Sequence, residues 1–336
     1  MTLGRRLRFR ASLMKVGVDG AVSVARDKAT SYGYSLTGRK TAPATDFDPF
    51  SAQVMHDPYP GYQSLLTGTE VPNVWYNRKR GIWIIAGYDD VRKALRDNEE
   101  LSSAQSQSRF RVRLPSMNAA DPPEHTRLRK FVSRAFTARA MTAWQTNINE
   151  VADELVDTVI AKGHTEAVTE LAKPLPTRLI ARMLGIPQPD QSQFVAWSDD
   201  MVAGAFAPLT PHGVRLSARS GNATAAMRRS LDPLIAQRRL NPGDDLISMM
   251  TPADADDVLT DDEIFWSAAM LIGAGSETTT NMLSGLLLTL AQRPELYARL
   301  RAHPELIPAA VEEQLRMGSP VQGFRSEERR VGKECW

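Results

Sequence analysis

Three groups of side chains have types and spacings that could do chemistry. In the first, Ala274-Gly275-Ser276-Glu277-Thr278, small residues stand next to a carboxylic acid and an alcohol. Small side chains let a large flat ligand approach a backbone closely, and an acid beside an alcohol can pass protons inward by way of water. In the second, His125 and Arg129 are four positions apart, so on a helix both project from one face as donors aimed at an anionic group. In the third, Glu313 and Arg316 are three apart and can pair along one helix. Each group also has an ordinary reading: a packing kink, a solvated charged face and a common helical ion pair.

Other chemistries find little support. Gly273-x-Gly275-x-x-Thr278 imitates a dinucleotide fingerprint, but that motif needs a strand before it and a helix starting at it, whereas here it lies inside a helical stretch. Ser276 is not in a G-x-S-x-G elbow, and there is no H-E-x-x-H or Walker sequence. The five histidines, His56, His125, His164, His212 and His303, show no metal-ligand spacing, so no metal site is built from them. One cysteine, Cys335, excludes a disulfide framework and fits a reducing compartment. With 336 residues, net charge +2 and 24% charged residues, the chain has no general bias towards nucleic acid.

The first chemical group lies in the middle of residues 260–292, around which the chain is organised. This stretch opens with a capping box, Thr260 and Glu263, and carries Asp261 and Asp262 where the helix dipole favours negative charge. It is apolar almost all round, as a buried strut would be, with residues 273–280 as a polar break of poor helix formers. Before it, residues 71–77 and 82–86 read as a β-hairpin, and a helix starting near Pro122-Pro123-Glu124 carries His125 and Arg129. Arg127, Lys130 and Arg134 fall on its other faces, mostly towards solvent. Residues 138–162 form a second helix closed by Gly163, residues 170–184 a helix broken at Pro174 and Pro176, and residues 191–206 and 213–240 two more. Short helices follow over 246–250, 294–303 and 308–317. Strands are few and there is no βαβ alternation, so the body is mainly α. The basic start (Arg5, Arg6, Arg8, Arg10, Lys15) precedes no apolar run, and residues 1–45 read as a flexible leader, with no membrane segment and a cytoplasmic setting.

In this order and at these separations the motifs resemble the cytochrome P450 superfamily, in its soluble bacterial form. The resemblance covers roughly residues 46–323: the hairpin, D-P-P-E-H-T-R-L-R-K, the A-G-S-E-T helix and A-V-E-E-Q-L-R. It implies a mainly α fold with a small β region and a haem under the long helix, its iron held by a cysteine thiolate. His125 and Arg129 would match the haem-propionate donors. Glu277 and Thr278 would match the acid and alcohol that deliver protons for dioxygen cleavage. Ala274 and Gly275 would line the oxygen groove, and Glu313 with Arg316 would brace the haem-binding core. The implied activity is insertion of one oxygen atom into an apolar organic substrate by a monomer. Electrons would come from NAD(P)H through a separate ferredoxin or flavodoxin-type donor, docked by Arg127, Lys130 and Arg134. Residues 101–118 with Met117, and Val202 and Phe206, would frame the pocket.

The chain leaves the family pattern at Gly323-Phe324. Residues 46–324 are expected to be a truncated domain of this family, and residues 325–336, which resemble a translated sequencing adapter, a non-native tail. Cys335 stands among charged residues without an F-x-x-G-x-x-x-C context, so it is not expected to serve as the thiolate. The chain as written is therefore expected to be inactive. An all-α protein that binds an apolar ligand without chemistry, or a haemless scaffold relative, is the alternative.

Overall fold

The computed structural model describes residues 43–66, 74–104, 114–133, 136–187, 191–205, 207, 210–251, 258–324 and 326–328. They fall into two units, one comprising the described residues up to 102 together with 326–328, the other the described residues from 103 to 324.

The first unit holds the short helices α1 (Ala52–His56) and α2 (Tyr59–Leu66), the hairpin β1 (Val74–Asn77) and β2 (Ile82–Ile85), and helix α3 (Tyr88–Ala94). The hairpin is antiparallel, with Trp75 opposite Ile84 and Tyr76 opposite Trp83. Gly81 turns it at φ 66°, a left-handed backbone that glycine adopts without strain. A two-residue pairing joins β3 (Leu101–Ser102) to β4 (Glu327–Glu328), so part of the segment set apart as a tail is hydrogen-bonded in this unit. The polar centre is Asp48, which is buried and takes Arg80 in a forked contact, Nε at 3.0 and 2.9 Å and a terminal nitrogen at 2.7 Å. Burial pushes the Asp48 pKa up, but the Arg80 hydrogen bonds and charge and the Phe50 N–H outweigh it and leave it lowered.

The second unit is helical: α4 (Glu124–Ser133), α5 (Ala138–Lys162), α6 (Pro174–Met183), α7 (Gln191–Ala205), α8 (Pro211–Leu240), α9 (Leu246–Met249), α10 (Asp261–Gln292), α11 (Pro294–Ala302) and α12 (Ile307–Met317). Local chemistry explains many of the ends. Thr137 and Thr210 accept from the third backbone N–H beyond them, at 3.3 and 3.2 Å, and Gly163 ends α5 at φ 72°. The core joins Leu128 and Phe131 of α4 to Ile180 of α6, Met227 and Leu231 of α8, and Ile264 and Phe265 of α10. Each such side chain, fully buried, stabilises the fold by roughly 1.5–3 kcal/mol.

Several expectations are corrected. The predicted helix over 170–184 is a π-helical turn, Ala167–Ala172, followed by α6. Pro174 begins α6 rather than breaking a helix, because the first helical position has no N–H bond to lose. The continuity read for residues 260–292 does hold, since α10 runs unbroken through the polar stretch 273–280 for 32 residues, about 48 Å at 1.5 Å per residue. Thr278 and Thr280 return their hydroxyls to the carbonyls of Ala274 and Ser276, both at 2.7 Å, so the alcohols are satisfied inside the helix. However, α10 is not buried throughout. Its buried residues all lie between Glu263 and Ile272, and Leu288 is 58% exposed. The start and capping box are as read, with Glu263 N donating to Thr260 Oγ1 and Thr260 N to Glu263 Oε2. The leader up to residue 42, Arg134, Phe206 and Cys335 lie outside the described residues, as do residues 105–113 of the expected pocket loop.

Two outcomes test this packing. Because the folded Asp48 titrates below an ordinary carboxylate, its pair with Arg80 contributes fully at neutral pH and is lost as pH falls through the folded-state pKa. Asp48→Asn should cost roughly 1–3 kcal/mol, less than a fully buried pair since the Arg80 side chain is 30% exposed, and should abolish the acid step in the near-ultraviolet signal of Trp75 and Trp83. An acid step of equal size in the variant would contradict the assignment. At Gly185, φ is 71° and an added Cβ would collide with the Asp245 side chain, which caps α9 and takes Arg238 Nε at 2.5 Å. Gly185→Ala should lower stability by roughly 1–3 kcal/mol in urea unfolding.

Candidate functional site

The candidate residues sit on three helices, α4, α10 and α12, of which α4 meets α10 at the first turn of the latter. Asp261, Asp262 and Glu263 occupy that turn, where unpaired N–H groups favour negative charge. Arginines from elsewhere meet each of them. Arg239 Nε donates to Asp261 at 2.9 Å, and Arg228 reaches Asp262 at 2.7 Å while its guanidinium lies 4.0 Å from the Phe265 ring centre. Arg127 of α4 pairs with Glu263.

The Arg127 contact corrects the expectation that this residue faces solvent. The Glu263 side chain is only 10% exposed and already accepts from Thr260 N at 2.8 Å and Thr260 Oγ1 at 3.0 Å. One buried carboxylate thus caps α10 and holds α4. At about 100° of rotation per residue, His125 and Arg129 lie roughly 160° around α4 from Arg127, on either side of one line. The strip between carries the buried Leu128, Phe131 and Val132. His125 is half-buried and Arg129 exposed, and among the described residues neither side chain has a hydrogen-bond or ion-pair partner. Lys130 is exposed beside them.

On α10 the structure separates residues that are adjacent in sequence. Ala274 is exposed, and Thr278, one turn on, donates its hydroxyl hydrogen to the Ala274 carbonyl at 2.7 Å. Gly275 faces α6, where an added Cβ would stand 3.6 Å from Ile180, an ordinary contact. Ser276 and Glu277 turn to a third side, into a cavity of about 430 Å³ that they share with Lys173, Ser198, Asp199 and Val202. Gly273 admits α7 there, since an added Cβ would lie 3.2 Å from Ser198 Oγ. Lys173 Nζ donates to Asp199 at 2.7 Å, and the Ser276 hydroxyl is buried without a partner. Ala274 and Thr278 therefore present one surface, and Glu277 with Val202 another. Met117 packs against the core from a short 3-10 turn.

Glu313 and Arg316 form a forked pair on α12, both contacts at 2.8 Å. The Arg316 hydrogen bond and charge hold the Glu313 carboxyl below its usual range and raise the Arg316 guanidinium. Both side chains remain mostly exposed, at 60% and 65%. The pairing of Arg127 with Glu263 was not anticipated. Its only sequence trace is Glu263 in the capping box and a basic residue two positions from each of His125 and Arg129.

Known proteins share this arrangement of elements. A family model described as Cytochrome P450 matches residues 217–322. The β-dihydromenaquinone-9 ω-hydroxylase of Mycobacterium tuberculosis H37Rv is 38% identical over 296 residues, which cover 86% of this chain and 59% of that protein. The putative cytochrome P450 YjiB of Bacillus subtilis 168 is 32% identical over 285 residues, covering 81% and 68%. CYP109E1 from Bacillus megaterium, crystallised with testosterone, superposes with a TM-score of 0.69 at 32% identity, over 81% of this chain and 70% of that one. The chain spans about three fifths of the length of the hydroxylase. With this extent of likeness in both sequence and fold, the chain belongs to the cytochrome P450 family.

Proposed function

We propose that residues 46–324 are the part of a haem-thiolate monooxygenase that holds the porphyrin's carboxylates and covers one of its faces. The observation that carries this reading is the unpaired His125 and Arg129 on one edge of α4, two donors with no protein acceptor among the described residues. The exposed Ala274 and half-buried Thr278, no larger than a threonine, suit a broad flat group lying close to the helix. When bound, haem supplies activation of dioxygen for insertion into a C–H bond.

The chain's own residues would act as follows. His125 and Arg129 bind and orient the carboxylates through charge-assisted hydrogen bonds. Thr278, its hydrogen engaged by Ala274, turns its oxygen lone pairs outward as an acceptor. Glu277 opens to the cavity beside Lys173 and Asp199, from which water can bring protons to the helix. Glu313 and Arg316 brace α12. Val202 and Met117 are wall residues for an apolar organic substrate, the class to which the steroid bound by CYP109E1 belongs. Electrons come from NAD(P)H through a ferredoxin or flavodoxin-type donor, for which Lys130 is the described docking candidate. Cys335 lies outside the described residues, so the test rests on the carboxylate donors rather than the iron ligand.

Titration of the purified chain with haemin should show saturable binding, weakened about tenfold or more in His125→Ala/Arg129→Ala. Absent binding, or an unaltered affinity in the double variant, would favour the apolar-ligand carrier instead. In a longer form of the chain that carries an iron-ligating cysteine, with turnover driven by a supplied reductase, Glu277→Gln should lower product formation by about 100-fold with substrate affinity unchanged. An undiminished rate would remove Glu277 from proton delivery.

A further inference from the structure

We infer that Arg127 and Glu263 are positioning residues for the carboxylate-binding pair, setting the rotation of α4 so that His125 and Arg129 both face the ligand. The inference rests on the proposed assignment of His125 and Arg129. Its own support is the geometry between α4 and α10. Leu128, Phe131 and Val132 bury one stripe of α4, which excludes a large rotation but, being non-directional apolar contact, leaves a modest swing of the helix open. The contact between Arg127 and Glu263 does not tolerate one, because Glu263 is itself fixed by Thr260 N at 2.8 Å and Thr260 Oγ1 at 3.0 Å.

The neighbouring acids cannot substitute. Asp261 and Asp262 pair with Arg239 and Arg228, both on α8, and their side chains are 67% and 68% exposed, so those pairs are solvent-screened and tie a different helix. The Glu263 side chain, at 10% exposure, is the desolvated member of the three. The pair is desolvated on the Glu263 side, at 10%, and partly open on the Arg127 side, at 33%. Such a pair is a poor source of net stability compared with well-packed apolar residues, and its best-attested use is to specify register. Here the register it specifies is that of the helix that carries the two free donors. A swing of α4 within the latitude left by the apolar stripe would carry His125 and Arg129, on the side of the helix away from Arg127, off their common line of approach.

The test compares protoporphyrin IX, which carries two carboxylates, with its dimethyl ester, which carries none, by quenching of tryptophan fluorescence in the full 336-residue chain. Arg127→Met keeps the apolar stem, Glu263→Gln keeps a capping-box acceptor, and Arg127→Lys keeps the charge. The unsubstituted chain should prefer the diacid by about tenfold, the scale on which supporting partners act. Arg127→Met and Glu263→Gln should erase that preference while leaving ester affinity unchanged, and Arg127→Lys should retain most of it. Equal weakening towards both porphyrins would mean general loosening and overturn the inference. It would also be overturned if Arg127→Met and Glu263→Gln left the preference intact while His125→Ala/Arg129→Ala removed it, a result that would leave the carboxylate assignment standing. No preference in the unsubstituted chain would overturn both.

Discussion

The carboxylate of Glu263 is the constraint on which the arrangement of the helical unit depends. It closes the capping box at the start of α10 and accepts Arg127 from α4, a residue 136 positions away in the chain. Leaving it without either partner would strand a charge in a site where the side chain is only 10% exposed. The helix with the small-residue strip and the helix with the two free donors are thus referred to one atom group. Around it, Arg228 and Arg239 of α8 meet the remaining acids of the turn, so the charge gathered at the positive end of the helix dipole is answered from two directions.

The elements were largely legible because their signals are local. Thr260 with Glu263 before α10 and Gly163 after α5 each act within a turn of the residue that reads them. The hairpin likewise followed from two β-branched and aromatic runs about a short basic turn. Pro174 misled because the same ring that breaks a helix interior is harmless at its first position, and which case applies depends on where the preceding turn closes. The site was legible as a list of residue types and less so as an arrangement. Adjacent residues on a helix diverge by about 100°, so Ala274, Gly275 and Glu277 look out on three different surroundings although they read as one motif. Arg127 was assigned to solvent because a basic residue among basic residues gives no sign of a distant acid. Only the folded chain supplies that partner.

The thresholds that separate ordinary from functional readings also differ among the three groups. The forked pair of Glu313 and Arg316 is complete in itself and mostly exposed. Among the described residues His125 and Arg129 are the reverse, two donors without an acceptor. Thr177, Ser267 and Ser284, like Ser276, are buried hydroxyls without a partner there, so it is the placing of two unpaired donors on one line of α4, rather than unspent polar capacity or ion-pair number alone, that marks the candidate site.

The two halves of α10 have different supports. The first twelve residues are gripped by the core and by arginines, whereas the half beyond Gly273 is held from the side by α11 and α12, with Thr289 Oγ1 donating to Gln314 Oε1 at 3.1 Å. The step from Ile272 to Gly273, immediately before Ala274 and Thr278, is thus a joint between two supports. The threonine hydroxyls that return to the carbonyls of Ala274 and Ser276 lie just past this joint, as extra hydrogen bonds that splint the turn.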